Sequence, residues 1–488
     1  MEKREKTAQE DLGLGRMEEQ EEYKTELFPE QGFVEERSQE EILEEQIAEI
    51  VDALERADRQ RLDDQYEHLH PIDLAEAMED WDEELLGQFC SLADDEKLAE
   101  LFEESDEKLQ VQLTNFLDNQ RVLHIFSFMQ KDDIVDILGN LKINRRKQLL
   151  DLMRAGERRI ITELLGYEED SAGGLMTTAY IALNGHLTIG AAIRKIKDIA
   201  PKTELLETIF VLNGRRQLMG TADLRDILVA SDSDTLDSIC DEQVVSVTPE
   251  TDQEEVSLLV SKYDLNAIPV VNKRNILLGI ITVDDIIDVI LEEHTEDMLQ
   301  MAGVSKEESI DSTLGESVKR RMPWLFVNLI TAFLASFAIQ SFAGVIEQVV
   351  ALSATMTIVT GMGGNSGNQT LSIIIRSIAL GEIDLKTSWR LVLKEAFVCM
   401  IDGFVVGIFT SLIVYLRYGN LYLAGIIWMA MILNFFISGL FGSLIPLIFK
   451  ALKLDPALAS SIFLTAATDI LGFLIFLGLA SLFLPMLV

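Results

Sequence analysis

The chain has little of the chemistry that builds soft-metal or covalent sites. Its 488 residues hold only three cysteines and five histidines. Cys90, Cys240 and Cys399 lie far apart with no CxxC spacing. That excludes a structural zinc ribbon and a disulfide framework, and it suits a reduced, cytosolic setting. Of His68, His70, His124, His186 and His294, only the first two are neighbours, and they read as a surface pair. No P-loop phrase and no nucleophile–base pair stands out, so an enzyme is the least favoured class. The first residues, MEKREKTAQEDLGLG, carry no apolar run, so no cleavable signal peptide is expected. Positive charge is scarce as well, with 41 Lys and Arg against 81 Asp and Glu, a net −40. Such a surface repels nucleic acid and anionic lipid and concentrates cations.

The charge that is present is segregated. From Met322 onward seven acidic residues face seven basic ones, so the whole excess belongs to residues 1–321. Residues 1–40 are polar and Glu-rich and read as a disordered acidic tail. Over 41–168 apolar residues recur at helical spacing in related phrases, DLAEAME at 73, KLAELFEE at 97 and DIVDILGNL at 133, which predicts stacked helical repeats forming an all-α superhelical N-domain. Short β-branched runs then alternate with helices twice, over 175–233 and 238–294. The echoes GTADLRDIL at 220 and GIITVDDII at 279 fix the offset. In the second copy VVSVTPETDQEEVSLLVSKYDLNAIPVVN predicts strand, capped helix and strand, with Thr251 and Glu254 spaced as a capping box. Two βαββα units of this kind resemble paired CBS modules. Residues 295–321 are polar, end in a basic cluster and predict a connecting helix.

Residues 322–488 predict a membrane domain of five helices, at 323–345, 349–375, 391–416, 421–449 and 457–485. Basic residues flank alternate loops, which places the N-terminus in the cytoplasm and the C-terminus outside. Asp469 is the only charge between Pro456 and Pro485. A carboxylate at that depth costs roughly 2.5–3.5 kcal/mol to insert. It stands ~20 Å of helix rise beyond Asp455, too far to snorkel out. Ser461, Thr465, Thr468 and Gly472 share its face, and no basic partner is offered in the span, so a cation pathway is the first hypothesis. The second span ends in GMGGNSGNQT. Carboxamides there are expensive against lipid, which predicts irregular backbone lining a cavity. The alternative is that its small residues serve close helix packing. Asp402 and Glu395 are the competing embedded acids, Glu395 reading as interfacial beside Lys394.

GMGGNSGNQT, the stretch DPALASSIFLTAATDILGF, the paired CBS-like modules and the acidic helical N-domain, in this order, resemble the MgtE family of magnesium channels. The resemblance implies a homodimer in the plasma membrane with a pore on the two-fold axis, closed by cytosolic domains when Mg2+ is plentiful. It implies Asp469, Thr465, Asn365 and Asn368 as pore residues. It implies Asp252, Glu254, Asp264, Asp285, Asp288, Glu293, Glu296, Asp297 and Asp455 as sensor ligands, with Glu100, Asp132 and Asp136 as matching acids in the N-domain. CBS pairs bind adenine nucleotides through a G-x-x-T/S-x-x-D phrase. Gly279, Thr282 and Asp285 match it, whereas the first copy has Asp223 where Thr or Ser is expected, so ATP is the second implied ligand. A secondary transporter coupling a divalent cation to H+ or Na+ remains the rival, since membrane-embedded polar groups suit either class. A cation receptor that conducts nothing is the third.

Overall fold

The structure is a computed structural model that describes residues 39–487 apart from 201, 202, 204, 307, 309, 311, 384–387 and 459. The acidic tail expected over 1–40 lies outside the described residues, apart from the first two positions of a helix. The chain divides into two compact units, 1–166 and 167–488.

Among the described residues the first unit is all helical. Its helices are α1 (Gln39–Glu55), α2 (Arg59–Tyr66), α3 (Pro71–Met78), α4 (Glu83–Leu92), α5 (Asp95–Glu104), α6 (Glu107–Phe116), α7 (Asn119–Ile125), α8 (Lys131–Asn140), α9 (Ile143–Leu152) and α10 (Ala155–Leu164). Apart from the 17-residue α1, none is long enough to stand alone in water. They share a core in which Ile50, Leu54, Leu62, Leu74, Met78, Phe89 and Phe102 are at most 1% exposed. The helix starts reveal the repeat. Asp58, Asp82, Asp106, Gln130 and Arg154 are the N-caps of α2, α4, α6, α8 and α10, a period of 24 residues, and the three aspartates cap through their side chains. A cation recurs at the same period. Lys97 Nζ donates to Asp63 O, Arg121 to Cys90 O and Ala93 O, and Arg145 to Thr114 O and Leu117 O. Each cation thus closes the C-terminal carbonyls of a helix three elements back, which locks one repeat to the next.

The second unit begins with a short α11 (Ala172–Leu175) and two modules. The first contains β1 (Ala182–Asn184), α12 (Ile189–Ile199), β2 (Thr208–Leu212), β3 (Leu218–Asp223) and α13 (Leu224–Val229); β1 pairs parallel and β3 antiparallel with β2. A short α14 (Leu236–Ile239) follows. The second module contains α15 (Gln253–Tyr263), β4 (Ala267–Val271), the antiparallel β5 (Leu277–Thr282) and α16 (Val283–Met301). Its expected first strand is reduced to an isolated bridge between Val247 and Val270. The modules repeat at an offset of 59 residues. Asn213 and Asn272 make the same hairpin turn, and Arg216 (φ 63°) and Asn275 (φ 59°) take the same left-handed position. Gly220 and Gly279 fall where a strand crosses: a Cβ on Gly279 would sit 2.7 Å from Thr177 O, and one on Gly220 would overlap Asp241 O. Leu218 N donates to Asn275 O and Asn275 Nδ2 returns to Leu218 O, so the two copies are joined hairpin to hairpin.

Two expectations are corrected here. The cap of α15 is Asp252, whose carboxylate accepts from Glu254 N at 2.9 Å, while Thr251 accepts from Thr248 N and tightens the preceding turn. Aspartate reaches the same orphan donors one residue later, so the capping box at Thr251 does not form. Nor is 295–321 one connecting helix. Its start is the C-terminal end of α16 and its end opens α17 (Leu314–Gln340), and the described residues of 302–313 are not helical.

The membrane part continues with α18 (Ala343–Gln348), α19 (Ala351–Ala379), α20 (Ser388–Tyr418), α21 (Leu421–Ala451), α22 (Ser460–Leu482) and α23 (Leu484–Leu487). Among the described residues four helices, α17 and α20 to α22, are long and apolar enough to cross a membrane. Five such spans were expected. The helix α19 has the length, 29 residues, but the polar phrase GMGGNSGNQT lowers its apolar content. That phrase does not break the helix, which runs through all four glycines. The bundle closes over Leu352, Val359, Ile427, Ala430, Met431, Phe476 and Leu477, all fully buried.

The repeat cations make a clear prediction. Arg121→Met leaves two helix-end carbonyls without a donor and should cost the first unit about 1–3 kcal/mol. Native-state hydrogen exchange at residues 86–93 reads this as faster exchange than in wild type, with α9 and α10 least affected.

Candidate functional site

The polar face of α22 meets α19 through small residues. A Cβ on Gly367 would lie 3.0 Å from Leu464, and one on Gly364 would lie 4.0 Å from Thr468 Oγ1. Those two pairings run antiparallel, so Asn365 and Asp469, the next residue on each helix, step apart in depth by roughly 3 Å of helix rise. On α19 the residues turned into the protein are Gly363, Ser366, Gly367, Thr370 and Leu371, whereas Gly361, Asn365, Asn368 and Ser372 are not covered by this chain, apart from neighbours on their own helix. Their spacing of four, three and four is one helix face. Asp469 is half-buried and, among the described residues, has no ion-pair or hydrogen-bond partner. The glycines therefore do what the packing alternative required of them, while the carboxamides are left on an open face.

Glu395 on α20 is 7% exposed; Lys394 Nζ stands 3.2 Å from it, and its own backbone carbonyl lies against Gly439 of α21. Asp402, two turns on, is exposed.

At the other end of α22 the non-helical link between α16 and α17 docks. Ser461 Oγ donates to Met301 O, and Gly303, held at φ 73°, rests against Ile462. A Cβ at that position would sit 3.0 Å from Ile462 Cδ1. A cavity of about 150 Å³ opens beside this contact, lined by Ala302, Gly303, Trp324, Asn328, Ser461 and Thr465. Thr465, which lines that cavity, stands one turn before Asp469 on the same helix.

Beyond the link lies a knot of carboxyl groups. Glu254 is pushed up to about 7 by burial and then by the charges of Glu293, Asp297, Asp252 and Asp455. Asp297 is raised to about 7 by burial, then by Asp455, Glu293 and Glu296. Glu293 is raised as well, chiefly by burial, although Gln253 Nε2 donates to its Oε1 at 2.6 Å. Asp455 belongs to the loop just before α22, where its Oδ1 caps Ala457 N. The knot therefore joins α15, the end of α16 and the mouth of the membrane part. One matched cation is present after all: Lys306 Nζ lies 3.4 Å from Glu296 and 3.0 Å from Asp170.

Not every expected ligand gathers there. Asp285 is taken into a capping box, with Thr282 Oγ1 donating to it at 2.5 Å, and its carboxyl is raised chiefly by burial. Asp288 is exposed one turn on. Asp264 is the left-handed C-cap of α15, at the opposite end from Asp252, roughly 18 Å away by helix rise. In the first unit Tyr66 Oη donates to Glu100 at 3.3 Å, the carboxyl of Glu103 is raised chiefly by burial with a smaller contribution from Asp132, and Asp136 is exposed. Among the described residues no three carboxylate, imidazole or thiol groups converge closely enough to hold a bare metal ion. The knot suits instead a hard cation that keeps its water shell and is bound through it.

The shifts carry a sign. A carboxyl whose packed value lies above its free value of about 4 favours packing while protonated. That contribution is full below about pH 4 and is lost as the pH rises through 7, where the knot is a set of confined like charges. Mg2+ should therefore raise the melting temperature more at pH 8 than at pH 6, and Glu254→Gln with Asp297→Asn should flatten that difference. Equal gains at both pH values in wild type would contradict this account.

Comparison with known proteins fits these features. The family model described as a divalent cation transporter, MgtE, matches residues 356–479. That of the MgtE intracellular N domain matches 69–170 and that of the CBS domain matches 236–292. The magnesium transporter MgtE of Bacillus subtilis is 34% identical over 355 residues, covering 73% of this chain and 79% of the relative. That of Thermus thermophilus is 34% identical over 367 residues, covering 72% and 79%. Among solved structures, the soluble part of a magnesium transporter shows 29% identity and a TM-score of 0.49 over 51% of this chain and 99% of that one. The cytosolic domain of the Mg2+ channel MgtE in complex with ATP shows 32% identity and a TM-score of 0.48 over 50% and 99%. The chain is a membrane protein and belongs to the MgtE family of magnesium transporters.

Proposed function

We propose that the protein is a Mg2+ channel whose path runs along Asp469 and whose opening is governed by Mg2+ on the domain side. The observation that carries this reading is the carboxylate of Asp469, without a partner among the described residues, on the helix packed beside the exposed polar face of α19. Against lipid that face would be costly, so it turns toward a second copy of the chain across a water-filled path. In a symmetric dimer two Asp469 carboxylates face each other. With Thr465, Asn365 and Asn368 they offer oxygen alone, the ligand type a hydrated Mg2+ accepts. In this reading α19 spans the membrane with the four apolar helices, the N-terminal part is cytoplasmic and the C-terminus lies outside.

Control follows from the acid knot. When Mg2+ is plentiful it screens Asp252, Glu254, Glu293, Glu296, Asp297 and Asp455, and the α16 end stays seated on Ser461 and Ile462. When Mg2+ is scarce the like charges separate and withdraw the link from the end of α22. We assign Asp264, Asp285 and Asp288, and Glu100, Asp132 and Asp136 of the first unit, to further Mg2+ binding. Gly279, Thr282 and Asp285 are assigned to an adenine nucleotide such as ATP, which would displace the Thr282–Asp285 contact. The role is transport, with no enzymatic step. The rival, a transporter coupling the divalent cation to H+ or Na+, has in its favour only the embedded acid itself.

The test is uptake into proteoliposomes holding a Mg2+ dye, with no H+ or Na+ gradient. Wild type should take up Mg2+ and Asp469→Asn should lose at least tenfold while still assembling; equal uptake by both would remove Asp469 from the path. Glu254→Gln with Asp297→Asn, which removes repulsion that Mg2+ would otherwise have to screen, should lower several-fold the internal Mg2+ needed to stop uptake, and an unchanged stopping concentration would count against the knot as sensor.

A further inference from the structure

Asn434 sits at the centre of α21, fully buried, where an apolar residue of the same volume would fill the space. Its surroundings give the carboxamide a use. Nδ2 donates to Val359 O of α19 at 2.8 Å, the carbonyl one turn before Gly363. A Cβ on Gly363 would overlap that nitrogen, and one on Gly472 of α22 would stand 2.9 Å from Oδ1. The side chain therefore lies in a slot that two glycines open, one on each of the helices carrying the polar faces of the proposed path. The slot is lined on its third side by Ser438, whose Oγ donates back to Asn434 O at 2.8 Å. Oδ1 meets no donor among the described residues. A leucine in the slot would leave no acceptor unpaired, so stability alone does not favour an amide there. What the amide adds is direction: a hydrogen bond to one carbonyl fixes both the rotation and the depth of α19, which apolar contact between small residues leaves free to slide.

We propose that Asn434 is a positioning residue of the cation path, fixing the rotation and depth of α19, and with it Asn365 and Asn368, relative to Asp469 of α22. The inference rests on the reading of Asp469 as part of that path. Asn434 touches no ion; it acts by setting the gap across which the carboxamides and the carboxylate face a hydrated cation. A small rotation of α19 changes that gap, and cations with different hydration shells respond unequally to it. The experiment measures Mg2+ and Ca2+ uptake separately into proteoliposomes of the full-length protein, normalised to the folded fraction from size-exclusion chromatography. For Asn434→Leu, Mg2+ uptake should fall tenfold or more and the Mg2+ to Ca2+ ratio should shift at least threefold from wild type. Should that variant fail to assemble, Asn434→Ser, which is too short to reach Val359 O, is read by the same ratio. An unchanged ratio, with uptake falling only as the folded fraction falls, makes Asn434 a packing residue and overturns the inference while the path stands. A wild type that takes up no Mg2+ overturns the path and this inference together.

Discussion

A polar group carried to membrane depth must be met by protein, by water or by cargo. The membrane part of this chain is arranged around that constraint. Thr370, Ser438, Ser443 and Thr468 are buried, and three of these hydroxyls return a hydrogen bond to a backbone carbonyl of their own helix, Ser438 to Asn434 O, Ser443 to Gly439 O and Thr468 to Thr465 O. Asn434 is met by the backbone of a neighbouring helix. Those groups are settled within one chain. Asn365, Asn368 and Asp469 are not, and they stand on adjoining helices within roughly 8 Å of one another in depth by helix rise. Groups left over in this manner are the ones that a second copy and a hydrated ion can satisfy.

The second constraint is electrostatic and lies outside the membrane. Carboxylates repel, and burial sharpens the repulsion because the surroundings screen it less. Glu254 and Asp297 are confined with Glu293 and Asp455 where both effects act together. Asp455 is the informative member, since it opens the segment that becomes α22. Met301 and Gly303, on the link that follows Asp297 along the chain, touch Ser461 and Ile462 of that same helix. A change of charge in the knot is therefore felt at both attachments to the polar helix. From Asp455 to Asp469 is ~20 Å of helix rise, about four turns.

Much of this was legible in the sequence, for reasons that can be stated residue by residue. Asp469 was conspicuous because a charge in an apolar run has no bland explanation. The 59-residue echo was visible because Gly220 and Gly279 stand where a strand passes too close for a side chain. Other features were hidden. The 24-residue repeat of the first unit was blurred because its constant elements are caps and one cation, while the apolar residues vary. The cap of α15 moved from Thr251 to Asp252, since either side chain can reach the first free amides. The GMGGNSGNQT helix stayed whole because its glycines face Asn434 and Leu464, and a sequence does not reveal which neighbour a glycine admits. Asn434 was missed outright: a single amide in a long apolar helix looks like an accident until its carbonyl partner is seen. The burial of Glu395 was not visible either, because it depends on Gly439 letting α20 approach closely enough to cover the acid's own turn.

The central claim is that Asp469 lines a passive, Mg2+-closed path, and the most direct measurement is electrical. Excised patches containing the protein, with Mg2+ as the sole permeant cation, should show unitary current steps that reverse at the Mg2+ equilibrium potential. Added Mg2+ on the domain side should silence them, and Asp469→Asn should abolish them. Mg2+ movement without current steps, or movement that requires a proton or Na+ gradient, would contradict the channel account and favour coupled transport.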